Sequence, residues 1–436
     1  MKTAFFDEIA KNLNGYQIGK EIVLLGWIKS IRKSKELCFF DVVDSTATLQ
    51  VVGKTELIEE KSLKKEQSVK IICNVKLSSN GVKELWIENF YIIGDVKNNM
   101  RPNPRQEFSI FEPRYTDYVQ KNRHLFVRNP KVMAVLKARD YVKQAVQRWF
   151  CDNRFTEITA PILTPVLLYD ESTGIPVRVR DQDLYLTQCV AFYLESAVHA
   201  FERVYNIGPS FRGAESVSPR HLTEYWHVKA EWAFVEFEDM FAIVEDLISS
   251  VAKELKDNCK NVEDILGVTP VYEEALKIPY PRITYRDAVE LCRANGFSSK
   301  FGESLNSKEE DFITTRFGSP VWITYNPKSI EGFPYKTCDF DDELTYTADL
   351  IGSSGGGEVL GIADKITDYN ELERRLEEHG KNNGDYEWYK ELRNYGEVPH
   401  CGMGMGLERL IKWLFKLSHV REAIPFPRSM GRKIYP

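Results

Sequence analysis

Residues 400–415, HCGMGMGLERLIKWLF, set three alternating glycines, Gly402, Gly404 and Gly406, directly ahead of a helix-forming run. Alone, a glycine-rich strand marks only a place of close packing. Its surroundings make it informative. A PFPR tail follows at 425–428, and strand-like runs precede it: DLYLTQCVAF, YWHVKAEWAFVEF and YTADLIGSSGGGEVLGI. These alternate with the helical runs FEDMFAIVEDLISSVAKELKD and DYNELERRLEEHG, which predicts an α+β domain with a substantial sheet. Further upstream, residues 132–155 carry apolar groups at helical spacing, and TEITAPILTP follows as an expected strand closed by prolines.

A different pattern fills the first hundred residues. EIVLLGWIKSI, ELCFFDVVD, ATLQVVGK, SVKIICNVKLS and KELWIENFYIIG are short, alternating and rich in β-branched and aromatic side chains, which predicts a small antiparallel β-barrel of OB-fold size. The polar, proline-bearing stretch 98–106 suits a linker, so the expected domains are 1–97, 98–106 and 107–436. No repeat of 20 to 50 residues recurs.

With 43% hydrophobic and 28% charged residues the chain has the composition of a globular enzyme, and a net charge of -6 excludes nucleic-acid binding by global positive charge. Any RNA contact must be local. The eight cysteines are scattered without a C-x-x-C pair, which argues against a zinc site or a disulfide framework. That usage, an N-terminus without a signal-peptide core and the lack of a long uncharged apolar run point to the cytoplasm.

Three segments in order carry a resemblance to the class II aminoacyl-tRNA synthetases of the asparaginyl/aspartyl branch. RWFCDNRFTEITAPILTP resembles the first motif of that family, FRGAESVSPRHLTEYWHVKAEWAF (211–234) its second, and the stretch 400–429 its third. The resemblance implies a homodimer formed through the first motif, ATP bound by the other two, and Mg²⁺ beside the phosphates. By it, Arg212 grips the α-phosphate, Arg409 and Tyr225 hold the two faces of the adenine, Arg220 and His221 approach the outer phosphates, and Glu358 with Asp349 binds Mg²⁺. The chemistry is coherent: as a carboxylate attacks the α-phosphorus, charge gathers on pyrophosphate, and guanidinium groups and Mg²⁺ stabilise it.

The same resemblance implies an amino-acid pocket of Glu171, Gln188, Lys229 and Arg393. In the barrel it gives Arg32, Phe39 and Gln50 as readers of a tRNA anticodon, through stacking and edge hydrogen bonds. The pocket also departs from the family. Gly213-Ala214 stands where the family has Ala-Glu, with Glu215 as a neighbouring substitute, and Lys229 replaces an acidic residue. Ala191 and the run Gly361–Ile366 lose further polar readers, while Leu194 stands where aspartyl enzymes carry a lysine. The leading expectation is ATP-dependent activation of asparagine or a relative and transfer to tRNA. Its rivals are a paralogue that uses the same adenylation for another acid or acceptor, and a non-catalytic tRNA-binding protein.

Overall fold

A computed structural model describes residues 4–60, 63–97, 105, 111–167, 171–213, 218–381 and 384–435. Two compact units divide the chain, Met1–Gln106 and Glu107–Pro436.

In the first unit, β1 (Glu21–Lys33), β2 (Leu37–Val43), β3 (Thr48–Lys54), β4 (Ser68–Leu77) and β5 (Lys83–Gly94) close a barrel in the order β1-β2-β3-β5-β4. Alternate residues turn inward, so Leu24, Ile28, Phe40, Val42, Val51, Ile71 and Phe90 form the core. The purely antiparallel expectation needs one correction, because β3 pairs with β5 in parallel. Strand direction reverses at every step along the chain, so β3 and β5, two steps apart, run the same way once the barrel closes.

The second unit begins its sheets with short pieces. The expected strand after the first long helix is reduced to β6 (Thr156–Glu157) and β7 (Leu163–Thr164); β7 joins β8 (Ile175–Val179) and β9 (Gln182–Leu186) in a three-stranded sheet. The strand expected over DLYLTQCVAF stops at Leu186, where Thr187 Oγ1 donates to the Cys189 carbonyl in a turn, and Ala191–Phe201 is a helix.

The main sheet uses β10 (Arg203–Phe211), β11 (Glu224–Ala233), β12 (Arg282–Thr284) and β13 (Val321–Thr324). A ribbon of β14 (Thr337–Cys338) and β15 (Asp341–Thr345) precedes its last strands, β16 (Thr347–Gly352), β17 (Gly357–Asp364) and β18 (His400–Gly406). The order is β12-β13-β16-β17-β18-β11-β10-β6, antiparallel except for the outermost pair at each edge.

Two long helices cover one face of this sheet. Pro130–Asp152 starts where the Asn129 side chain accepts the Lys131 N–H and Pro130 supplies a preset backbone angle. With Phe237–Asn258 it buries Val146, Phe150, Phe241, Val244 and Ile248 against Val228, Ala230, Trp232, Leu350, Met403 and Met405. Strand alternation then aims the intervening residues, His227, Lys229, Glu231, Asp349 and the glycines of β18, at the opposite face.

Candidate active site

That opposite face floors a cavity of about 550 Å³, a size suited to a nucleotide-sized ligand. The alternating glycines have a steric reason. A Cβ on Gly404 would collide with the Lys229 side chain, one on Gly402 with Glu231, and one on Gly361 would lie 2.9 Å from Asp349 Oδ1. Neighbouring strands thus lay functional side chains flat across these positions.

At one end, Arg212, Arg220, His221, Tyr225, Glu358 and Arg409 all line the cavity. The β10–β11 hairpin carries the first four. Arg409 projects from the first turn of the helix Leu407–Leu414, with Nη1 2.9 Å from Glu358 Oε1. This guanidinium holds the Glu358 carboxyl below its usual range. Arg220 pairs with Glu310, while Arg212 is exposed at the rim. Burial, and then Arg409, Arg212 and Arg220, lower the His221 pKa to about 4, so its ring is neutral at physiological pH. Glu408 braces the site from within the protein. Arg139 Nη1 lies 2.6 Å from one of its oxygens, and the other accepts the Trp226 N–H at 3.0 Å, tying the helix to β11.

Beside Glu358 lies an acidic corner. Asn326 Nδ2 donates to both Asp349 and Glu331 at 2.9 Å. Burial, then Glu358 and Glu331, raises Asp349 well above the carboxylate range, and burial lifts Glu331 to about 7.

At the other end, Lys229, Glu231 and Lys365 line the cavity ahead of a buried ion network. Lys365 Nζ lies 3.1 Å from Glu195 and 3.4 Å from Glu231. Glu195 also receives Arg393 Nη2 at 3.0 Å, the Tyr389 hydroxyl and His400 at 3.4 Å. Burial would raise the Glu195 pKa, but Lys365, His400 and Arg393 hold it well below the ordinary value.

Residues 116–430 match the family described as tRNA synthetases class II (D, K and N). The chain belongs to the class II tRNA synthetases. Residues 22–93 of this synthetase match an OB-fold nucleic acid binding domain. It is 35% identical to the asparagine–tRNA ligase of Desulforamulus reducens over 430 residues, covering 97% of this chain and 98% of that one. Among solved structures it is similar to the asparaginyl-tRNA synthetase of Pyrococcus horikoshii complexed with asparaginyl-adenylate, at a TM-score of 0.91 and 30% identity over 99% of both chains. The corresponding Entamoeba histolytica complex matches at 0.84 and 27%, covering 97% of this chain and 98% of that one.

The synthetase brings together all six residues assigned to ATP, with Asp349 and Lys229 in the same cavity. The other pocket candidates are placed differently. Arg393 is buried and spent on Glu195 and the Ile366 carbonyl, so it supports the cavity wall from behind. Gln188 is buried too, its Nε2 donating to Thr173 Oγ1 at 2.8 Å. Glu171 begins a short turn, but its side chain lies outside the described residues, as do Ala214 and Glu215. Motif reading missed Glu195, Glu231, Glu310, Glu331 and His400. Of these only Glu231 carried a local signal, its alternation with Lys229 along β11.

On the barrel, Arg32 is the cross-strand partner of Phe39, and Gln50 that of Asp41. Arg32 and Gln50 are exposed and Phe39 half-buried, whereas Phe40 is fully buried. Alternation thus leaves Phe39 on the outer surface, with Arg32 held 3.4 Å from Asp41. All eight cysteines are free. No helix among the described residues is long and apolar enough to cross a membrane.

Proposed function

We propose that this synthetase activates asparagine with ATP and transfers it to the 3′ end of a tRNA whose anticodon meets the barrel at Arg32, Phe39 and Gln50. Whole-length similarity to asparagine–tRNA ligases carries this reading, and the cavity is equipped for it. Arg212 steadies the α-phosphate, Arg220 and His221 the outer phosphates, and Tyr225 and Arg409 sandwich the adenine. An asparagine carboxylate oxygen attacks the α-phosphorus and the bond to pyrophosphate breaks. A terminal tRNA hydroxyl then attacks the acyl carbon, and AMP departs with the bonding pair. Positioning and fixed positive charge supply the acceleration, without a protein nucleophile.

Mg²⁺ fits the acidic corner. Glu358 and Asp349 offer the oxygen donors a hard cation takes; burial first, and then the repulsion of Glu358 and Glu331, push Asp349 up, and a cation would relieve that repulsion. When bound with ATP, it would neutralise phosphate charge beside these two carboxylates. A homodimer built on residues 130–164 belongs to the same reading, supported by the exposed Ile162 and Leu163 after the helix, as does work in the cytoplasm.

ATP–pyrophosphate exchange across a panel of amino acids tests the proposal. Exchange that depends on asparagine is the expected result. Exchange with another acid would transfer the case to a paralogue of different substrate, and none with any acid would leave a tRNA-binding protein.

A further inference from the structure

The segment ahead of β13 brings one charge to the phosphate end of the cavity. Glu310 is 6% exposed, lines the cavity and pairs with Arg220, its one ion-pair partner among the described residues. The two side chains meet over Gly357. A Cβ there would lie 2.7 Å from Arg220 Nη1, 2.9 Å from Arg220 Cδ and 3.4 Å from Glu310 Oε2. The arginine arm therefore lies flat on the residue next to Glu358, where only glycine leaves room for it.

Glu310 stands on a fixed support. It belongs to the helix Ser307–Phe317, whose start is tied twice: the Asn306 side chain accepts the Lys308 and Glu309 N–H groups, and Glu309 accepts the Asn306 N–H and the Ser299 hydroxyl. One turn beyond Glu310, Ile313 packs with Val289, Ile323 and Ile351, which seats the helix on β13 and β16 of the main sheet. Arg220 instead rides on the β10–β11 loop, and a long arginine arm loses much rotamer freedom when a ligand orders it.

Phosphate does not have to break this pair. A guanidinium carries several N–H donors, and one carboxylate leaves others for a ligand. Burial raises the Glu310 pKa, Arg220 opposes that rise and Glu358 adds to it. Withdrawing Arg220 would strand a buried carboxylate beside a like charge, which is strongly unfavourable.

Resting on the reading of Arg220 as a ligand of the outer phosphates, we infer that Glu310 is a positioning residue for adenylate formation, holding Arg220 against Gly357 so that its guanidinium is ordered before ATP or pyrophosphate binds. The positive charge that meets the departing pyrophosphate is then set from the helix Ser307–Phe317, outside the three motifs.

The test uses the full chain in ATP–pyrophosphate exchange, varying ATP, pyrophosphate and asparagine in turn, with calorimetric binding of ATP giving the same comparison without turnover. Arg220→Met should raise the KM for ATP and for pyrophosphate by about a hundredfold. Glu310→Met, which keeps the length but accepts no hydrogen bond, should raise them by about tenfold, the order expected for ordering one long side chain. Neither should move the KM for asparagine. Glu310→Gln, whose carbonyl oxygen still accepts from the guanidinium, should recover most of the loss, and in an Arg220→Met background Glu310→Met should cost nothing further. A merely structural role would lower kcat for all substrates alike and add the same loss in either background. If Glu310→Met fails to fold, Glu310→Ala is read in its place. Unchanged or lowered KM values for ATP and pyrophosphate in Glu310→Met, or an equal loss in both backgrounds, overturn the inference and leave the reading of Arg220 standing. Wild-type KM values in Arg220→Met overturn that reading, and the inference with it.

Discussion

The two ends of the cavity use charge in opposite ways. Around Arg212 and Arg409 the guanidinium groups keep access to the cavity, Arg212 exposed at its rim, Arg220 paired with Glu310 and Arg409 with Glu358; in the proposed function these are the charges that meet ATP. Around Glu195 the charges are fully buried and answer one another: Lys365, Arg393, His400 and Tyr389 converge on one carboxylate. A charge aimed at a ligand keeps its access, and one that shapes a wall spends its hydrogen bonds internally. The barrel repeats the contrast in neighbouring residues, with Phe40 in the core and Phe39 at the surface.

Removing a committed charge should therefore cost stability first. Glu195→Ala takes one carboxylate from three buried cations, Lys365, Arg393 and His400, and should lower the unfolding free energy by about 3–5 kcal/mol in urea titrations. A loss below about 1 kcal/mol would show that the network is not closed. The same network has a pH signature. Burial disfavours the His400 cation, but hydrogen bonds to Glu195 and Glu397 raise its pKa from 6.5 to about 10. Its contribution is then fully present below pH 6.5 and lost as the pH rises through about 10. Glu397, held at about 2 against burial by His199, His400 and Arg393, contributes above pH 4.5 and loses that contribution as the pH falls towards 2. Denaturation midpoints followed at both extremes should decline on both sides of this window.

Removing a charge kept for the ligand should spare the fold and stop the chemistry. Arg409→Ala should cut pyrophosphate exchange by about 10²–10³-fold or more with an unchanged melting temperature. Wild-type exchange in that variant would remove the ATP assignment. The smallest effect belongs to the barrel surface: Phe39→Ala should weaken tRNA binding by about 1–3 kcal/mol, the worth of one stacked base, and leave adenylate formation intact. Equal tRNA affinity would count against an anticodon role.

Much of this arrangement was legible in the chain. The barrel strands and the long helices follow from local patterns, because alternation and helical spacing are short-range signals, and the six residues the resemblance gave for ATP do line one cavity. Arg393 shows where such reading runs out. Motif resemblance put it in the amino-acid pocket, yet its guanidinium is turned to Glu195, 198 residues away in sequence. Glu195 itself sits in a helix whose apolar neighbours conceal it, and nothing near His400 announces that two glutamates hold it charged.

The sequence by itself determined the elements and the chemical types aimed at the cavity face, since side-chain alternation along a strand is a property of the strand alone. Only the tertiary structure decided which charges cancel and which remain open, because Lys365 meets Glu195 and Glu231 through strand order and helix packing rather than through proximity in the chain. Whether a buried charge is closed off depends on its neighbours in space: Lys365 is held by two glutamates brought to it from other elements, whereas Lys229 lies across Gly404 and lines the cavity.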